Sequence, residues 1–219
     1  MFCQLPEDVL ASLQRIKATS VYPKGALLCL EGQPPRGVFI LCSGRAKLST
    51  TSAEGKTIIL RVAEPGEVLG LTAVVSHSPY EATAETLEPT QANFIPQADF
   101  IRFLEDNPEI GAKVTQQLTH NCKSAYEEIR SLGLSASVPE KLARLLLRWS
   151  DHPVKTANGT NEIMLRVTLT QEEIAQLVGT SRETVSRVLS DFKKKGWLRV
   201  RGTSWAILNK PALRKMVAL

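Results

Sequence analysis

The stretch TLTQEEIAQLVGTSRETVSRVLSDFKKKG, residues 168–196, reads as two helices joined by a tight turn. Thr170 and Glu173 have the spacing of a capping box. Ile174, Leu177 and Val178 give the first helix an apolar side, and Gly179 breaks it. Ser181 is placed to cap the second helix. Wound at ~100° per residue with Arg182 as origin, Ser186 falls at roughly 40°, Glu183 at roughly 100° and Arg187 at roughly 140°. Val185, Val188, Leu189 and Phe192 collect on the opposite side. Ala175 is small where the second helix must cross closely, and Val185 follows ten residues later. A small residue, a turn glycine four later and a β-branched residue six after that make the helix-turn-helix pattern.

The outward face then has a chemical purpose. Arginine pairs bidentately with guanine O6 and N7, and glutamate accepts from cytosine N4. Arg182, Glu183, Ser186 and Arg187 are the candidate base readers. Thr170, Gln171, Ser181 and Thr184 stand near helix N-termini, where phosphate oxygens meet free N–H groups. Lys193 and Lys194 share the polar face. WLRVRGTSWAIL (197–208) reads as a hairpin turning at Gly202-Thr203, a wing whose Arg199 and Arg201 can reach phosphates and whose Trp197 and Trp205 form its core.

Charge supports a polyanion partner for this half. Residues 138–219 carry 15 Lys and Arg against 7 Asp and Glu, a formal +8. Residues 1–137 carry 12 against 15, or −3, and together they give the chain's +5. Such asymmetry assigns the basic part to nucleic acid and the rest to another task.

The first half is punctuated by glycine. Between residues 24 and 71 stand Gly25, Gly32, Gly37, Gly44, Gly55, Gly66 and Gly70, seven of the chain's 13. The runs between them, ALLCL, GVFILC, AKLSTT and KTIILRVA, are strand-like, and Glu54-Gly55 marks a hairpin turn. Regular short strands with glycine turns imply an antiparallel sandwich or barrel. Strand-like sequence continues through ATAETLEPTQANFIP. From Gln97 the period becomes helical: QADFIRFLEDN is a short helix, and Asn107-Pro108-Glu109 can open a long one. Leu118, Cys122, Ala125, Ile129 and Leu132 recur at 4-3-4-3 spacing, a seam that packs the helix either on its own β-domain or, the sharper reading, on a second copy in a homodimer. SASVPEK is a linker, with Pro139 opening a further helix, and the polar loop DHPVKTANGTNE leads to the strand IMLRV.

Other functions fit poorly. Cys3, Cys29, Cys42 and Cys122 form no CxxC pair and read as free thiols. His77, His120 and His152 lie in separate segments, so a β-barrel oxygenase site with convergent histidines is not expected, nor is any enzyme activity. A pure protein-interaction module would not need the +8 half or the arginine face. No apolar run approaches the ~18 residues of a membrane span, and MFCQLPEDVL lacks the marks of a signal peptide, so a cytoplasmic protein with no membrane partner is expected.

The order of these parts resembles the cyclic-AMP receptor / fumarate–nitrate regulator (CRP/FNR) family over nearly the whole chain. SRETVSRVL is the most specific element; PKG, EG, LCSGRAKL and EPGEVLG fit the β-roll pattern. The resemblance implies an α+β protein: a double-stranded β-helix (jelly-roll, cyclic-nucleotide-binding-like) domain at 1–107, a dimerisation helix at 108–135 and a winged helix-turn-helix at 138–219. It implies a transcription regulator that binds double-stranded DNA at a TGTGA-like half-site through Arg182, Glu183 and Arg187. Ser186 matches a serine of the oxygen-sensing branch, which makes a redox- or cofactor-responsive regulator with a TTGAY-like site the alternative. The resemblance also offers RNA polymerase as a partner through the loop HPVKTANGTNE, whose polar residues by themselves read as a solvated loop.

The resemblance also places an effector pocket at Gly66, Leu69, Gly70, Leu71, Tyr80, Glu81 and Ala82, with Ala125 and Tyr126 on the long helix. There the sequence departs from cyclic-AMP binders. A glutamate that follows the pocket glycine is replaced by Leu71. The Arg-Ser phosphate pair becomes Tyr80 and Glu81, and Thr-Ser on the long helix becomes Ala125 and Tyr126. A carboxylate facing a phosphodiester repels it, and loss of the arginine removes a charge-assisted clamp. Cyclic AMP is therefore not expected to bind by the usual contacts. An iron–sulfur cluster is not expected, with only Cys3 near the N-terminus and Ala92 at the central cysteine position. Haem is not expected, with His77 lacking a partner.

Overall fold

The computed structural model describes residues 7–133, 137–151 and 162–217. The chain divides into two compact units, Met1–Tyr126 and Glu127–Leu219.

The first unit starts with helix α1 (Glu7–Ile16), followed by strands β1 (Ala18–Tyr22), β2 (Leu27–Cys29), β3 (Gly37–Ser43), β4 (Ala46–Thr51), β5 (Thr57–Ala63) and β6 (Val68–Leu69). Helix α2 (Leu71–Ser76), strands β7 (Thr83–Thr86) and β8 (Thr90–Pro96) and helices α3 (Gln97–Asp106) and α4 (Pro108–Gly133) follow. The strands make two antiparallel four-stranded sheets, in the orders β1-β8-β3-β6 and β2-β7-β4-β5.

The burial of β3 explains its unbroken apolar run. Phe39 and Leu41 point into a core shared with Leu28, Ala46, Leu69 and Ala84 of both sheets. Val38 and Ile40, on the alternate face, pack beneath Val9 and Leu13 of α1, Phe100 and Phe103 of α3, and Ile110 and Val114 of α4. With both faces covered, a strand needs no polar alternation. Gly37 begins β3 because its backbone crosses β8 closely: a Cβ there would lie 2.1 Å from the Ile95 carbonyl oxygen. The hairpin of β4 and β5 turns over Ser52–Lys56, where Gly55 takes φ +80°.

α3 and α4 meet at Asn107, whose amide donates back to the Phe103 carbonyl at 2.8 Å, so its amide group closes the end of α3. α4 carries the heptad positions. Leu118 is half-buried against the helical layer, while Cys122 and Ala125 are exposed. The side chains of Ile129 and Leu132 lie outside the described residues.

The second unit has helix α5 (Val138–Trp149), strand β9 (Ile163–Arg166), helices α6 (Gln171–Val178) and α7 (Arg182–Lys194), strands β10 (Leu198–Arg201) and β11 (Ser204–Ile207), and helix α8 (Lys210–Val217). Ser137 caps α5 in a capping box with Glu140, and Pro139 sits in its first turn. The three strands pair in the order β10-β11-β9. α5, α6, α7 and α8 enclose a core of Leu142, Leu146, Ile174, Val185, Phe192, Leu198, Trp205 and Leu213. Cys3 and the loop residues 152–161, with His152, lie outside the described residues. Among those described, no helix is long and apolar enough to cross a membrane.

Candidate nucleic-acid interface

α6 is held at its start by reciprocal bonds: the Glu173 N–H donates to the Thr170 hydroxyl at 3.1 Å, and the Thr170 N–H donates to the Glu173 carboxylate at 2.8 Å. Gly179 ends it at φ +75°, a left-handed geometry that suits glycine. The turn is sealed by the N–H groups of Gly179 and Thr180, both donating to the Ala175 carbonyl at 2.9 Å. Ser181 caps α7, accepting from the Thr184 N–H at 3.3 Å. Ala175 is 1% and Val185 0% exposed, the close crossing that the small residue allows.

α7 then presents two opposite faces. Val185, Val188, Leu189 and Phe192 are buried, while Arg182, Glu183, Ser186 and Arg187 are all exposed. They line an open groove of about 660 Å³ together with Gln171, Ser190, Asp191 and Lys194. The groove thus brings the four candidate base readers and two of the candidate phosphate contacts into one surface. Lys193 is exposed beside it, and Arg201 is exposed at the tip of the wing.

The groove holds both signs of charge. Asp191 is paired with Lys195 at 2.8 Å, and that ammonium also lies 5.0 Å from the Trp197 ring centre. Glu183 sits in the first turn of α7, where its own backbone N–H and then the Ser181 hydroxyl hold its carboxyl below the usual range. It is therefore an anionic acceptor at neutral pH, as a contact with a base amino group requires.

Some side chains have other commitments. Arg199 is ion-paired with Glu162, which lies beside β9 next to the wing. The Thr170 hydroxyl donates to the Glu173 carboxylate at 3.0 Å. The Ser181 and Thr184 hydroxyls lie 3.1 Å apart and share one hydrogen bond. Ser190 and Asp191 line the groove and were not singled out from sequence, although they fall one turn beyond Ser186 and Arg187.

The effector positions look different. Leu69, Leu71, Tyr80 and Ala82 are buried, and Gly66 and Gly70 take positive φ. Glu81 is exposed, as are Ala125 and Tyr126, the last at 64%. Tyr80 turns its hydroxyl inward onto the backbone of residues 36 and 37. His77 is exposed, with Nδ1 3.1 Å from the Gln97 amide nitrogen. Among the described residues, no group of three or more His, Cys, Asp or Glu is placed to hold a metal ion.

Comparison with known proteins follows the same division. A cyclic nucleotide-binding domain model matches residues 19–107, and a Crp-like helix-turn-helix domain model matches residues 140–216. The chain is 29% identical over 217 residues to the CRP-like cAMP-activated global transcriptional regulator of Mycobacterium tuberculosis, covering 98% of this chain and 95% of that one. It is 22% identical over 207 residues to the anaerobic regulatory protein of Bacillus subtilis, covering 94% and 86%. The solved structure of FixK2 from Bradyrhizobium japonicum matches with a TM-score of 0.82 at 20% identity, covering 93% of this chain and 98% of that one.

Proposed function

The chain belongs to the CRP/FNR family of DNA-binding transcription regulators, which are not enzymes, and from that premise we propose that it binds a near-palindrome as a homodimer. Residues 1–107 serve as the β-roll, 108–135 as the dimer helix through Leu118, Cys122, Ala125, Ile129 and Leu132, and 138–219 as the DNA-binding part. Two copies of α7 enter successive major grooves about 34–36 Å apart. Arg182 and Arg187 donate to guanines, Glu183 accepts from cytosine N4, and Ser186 contacts the neighbouring base of a TGTGA-like half-site. Thr170, Gln171, Ser181, Thr184, Lys193, Lys194, Arg199 and Arg201 meet phosphates.

One observation carries this reading: four polar side chains stand exposed on one face of a capped helix whose other face is fully buried. The packing fixes the helix, and the helix fixes the spacing of the readers. Ser186 supports one alternative, a TTGAY-like half-site in a redox- or cofactor-responsive regulator, since its hydroxyl is open in the groove between the arginines.

The β-roll does not bind cyclic AMP by the usual contacts, a reading supported by buried Tyr80 and exposed Glu81. The experiment is selection from random DNA by the purified protein with and without cyclic AMP. A TGTGA-like palindrome enriched in both arms is the expected result. A TTGAY-like palindrome would select the alternative. Enrichment only with cyclic AMP would overturn the reading of the β-roll.

A further inference from the structure

Tyr80 stands where the family resemblance places a residue that holds the ligand's phosphate, yet it is 4% exposed. Its hydroxyl donates to the Gly37 carbonyl at 2.7 Å and accepts from the N–H groups of Arg36 at 3.1 Å and Gly37 at 3.2 Å. Its backbone is fastened to the same segment: the Tyr80 N–H donates to the Gln33 carbonyl at 2.9 Å, and the Gly32 N–H donates to the Tyr80 carbonyl at 2.8 Å. One residue thus ties the β2–β3 connection at both of its ends.

The ring makes a second attachment. It lies against Gly70, where a Cβ would come within 2.7 Å of Tyr80 Cε1. Gly70 has φ +74° and directly follows β6. β6 is the edge of its sheet, and its free backbone groups are taken by the long helix. The Val68 N–H donates to Gln117 Oε1 at 3.2 Å, and Gln117 Nε2 donates to the Val68 carbonyl at 2.8 Å. Gln117 is 4% exposed on α4, which runs unbroken from Pro108 to Gly133. A continuous path of buried contacts therefore joins the β2–β3 connection, Tyr80, Gly70, β6 and α4.

An effector switches a protein by binding one of two arrangements better than the other. Here a ligand entering at Tyr80 would have to displace a packed ring and leave three backbone partners of its hydroxyl to be satisfied again, which is costly for buried polar groups. We propose that Tyr80 is a built-in occupant of the effector position and that, with Gln117, it holds the β-roll and the long helix in one arrangement, so that the chain binds its operator with no small molecule. This rests on the DNA-binding reading above and assigns its regulation.

Two readouts separate the two ideas. In the first, native mass spectrometry and operator binding are measured on the same purified protein. Operator binding by a dimer whose mass is that of two bare chains is expected. A small molecule retained in stoichiometric amount, or binding that needs added cyclic AMP, would overturn the proposal. Tyr80→Phe keeps the ring and removes the hydroxyl; Gln117→Leu keeps the bulk and frees Val68. Each is expected to stay folded by circular dichroism and to lose operator affinity by about fivefold, the scale of one buried hydrogen-bonding group. Wild-type affinity in both would overturn the proposal.

The second readout is hydrogen exchange without DNA. Tyr80→Phe is expected to speed exchange at residues 32–37 and 68–76 and around Gln117. Exchange confined to Tyr80's own neighbours would sever the path and overturn the proposal. If the wild-type protein selects no DNA site, the DNA-binding reading fails, while exchange still decides whether the tie exists.

Discussion

The two functional regions are built in opposite senses. On α7 the proposed base readers are exposed, while the apolar residues between them anchor the helix to a closed core. In the β-roll the equivalent positions are mostly buried, and Tyr80 spends its hydroxyl on the protein's own backbone. An exposed guanidinium has donors left for a partner; a phenol with three internal bonds has little left to offer one. Two regions, each matched by its own domain model, can thus differ in what they keep available. The proposed division of labour rests on this disposition of the side chains rather than on the fold.

The largest effect probes what anchors the reading face. Phe192 is 0% exposed on the buried face of α7, and Phe192→Ala is expected to cost about 3–5 kcal/mol. All three tryptophans, Trp149, Trp197 and Trp205, lie in the second unit, so their fluorescence follows that unit alone during denaturant unfolding. A lowered midpoint by fluorescence with the β-sheet circular dichroism unmoved is expected. Equal shifts in both signals would mean that the two regions are not energetically separate.

Next, Arg182→Ala is expected to cost about 1–3 kcal/mol on the preferred half-site and much less on one changed at its guanine. A weaker effect is expected at Lys193, exposed beside the groove. Lys193→Ala should lower affinity evenly across sequences and reduce the salt slope by about one ion. Binding titrations at several salt concentrations check both.

The smallest effect sharpens the β-roll side. Burial pushes the Cys29 thiol up to about 11, so at pH 8 it is expected to resist alkylation until the unit unfolds. The folded thiol keeps its proton while the unfolded one releases it above about 9, so stability falls as pH climbs toward about 11. Thiol labelling read by mass spectrometry, followed by unfolding at pH 8 and 10, checks both statements.

What the sequence disclosed follows from the same contrast. Capping residues, the Gly179 turn and the Ala175–Val185 crossing are local rules at fixed spacing, and they appear in the structure where the pattern puts them. The glycine-punctuated strands were legible because Gly55, Gly70 and their like mark turns and close approaches. α1 and α8 drew no notice in the sequence, although Val9 and Leu13 lie four apart on one apolar face. α2 has six residues, too few for a helical period to show. The pairing of Arg199 with Glu162 joins residues 37 apart, and the bond between Gln117 and Val68 joins residues 49 apart. No local pattern announces either. The sequence marked Tyr80 as a departure from the family, but only the structure shows where its hydroxyl goes.

The most direct measurement is a mutant cycle between Arg187 and the guanine it is proposed to read. Operator affinity is measured for the wild-type protein and Arg187→Ala, each on the selected site and on the site with that guanine replaced. A coupling of about 1–3 kcal/mol is predicted, with Arg187→Ala indifferent to the base change. Additive losses, with the mutant still discriminating the base as the wild type does, would contradict base reading by α7.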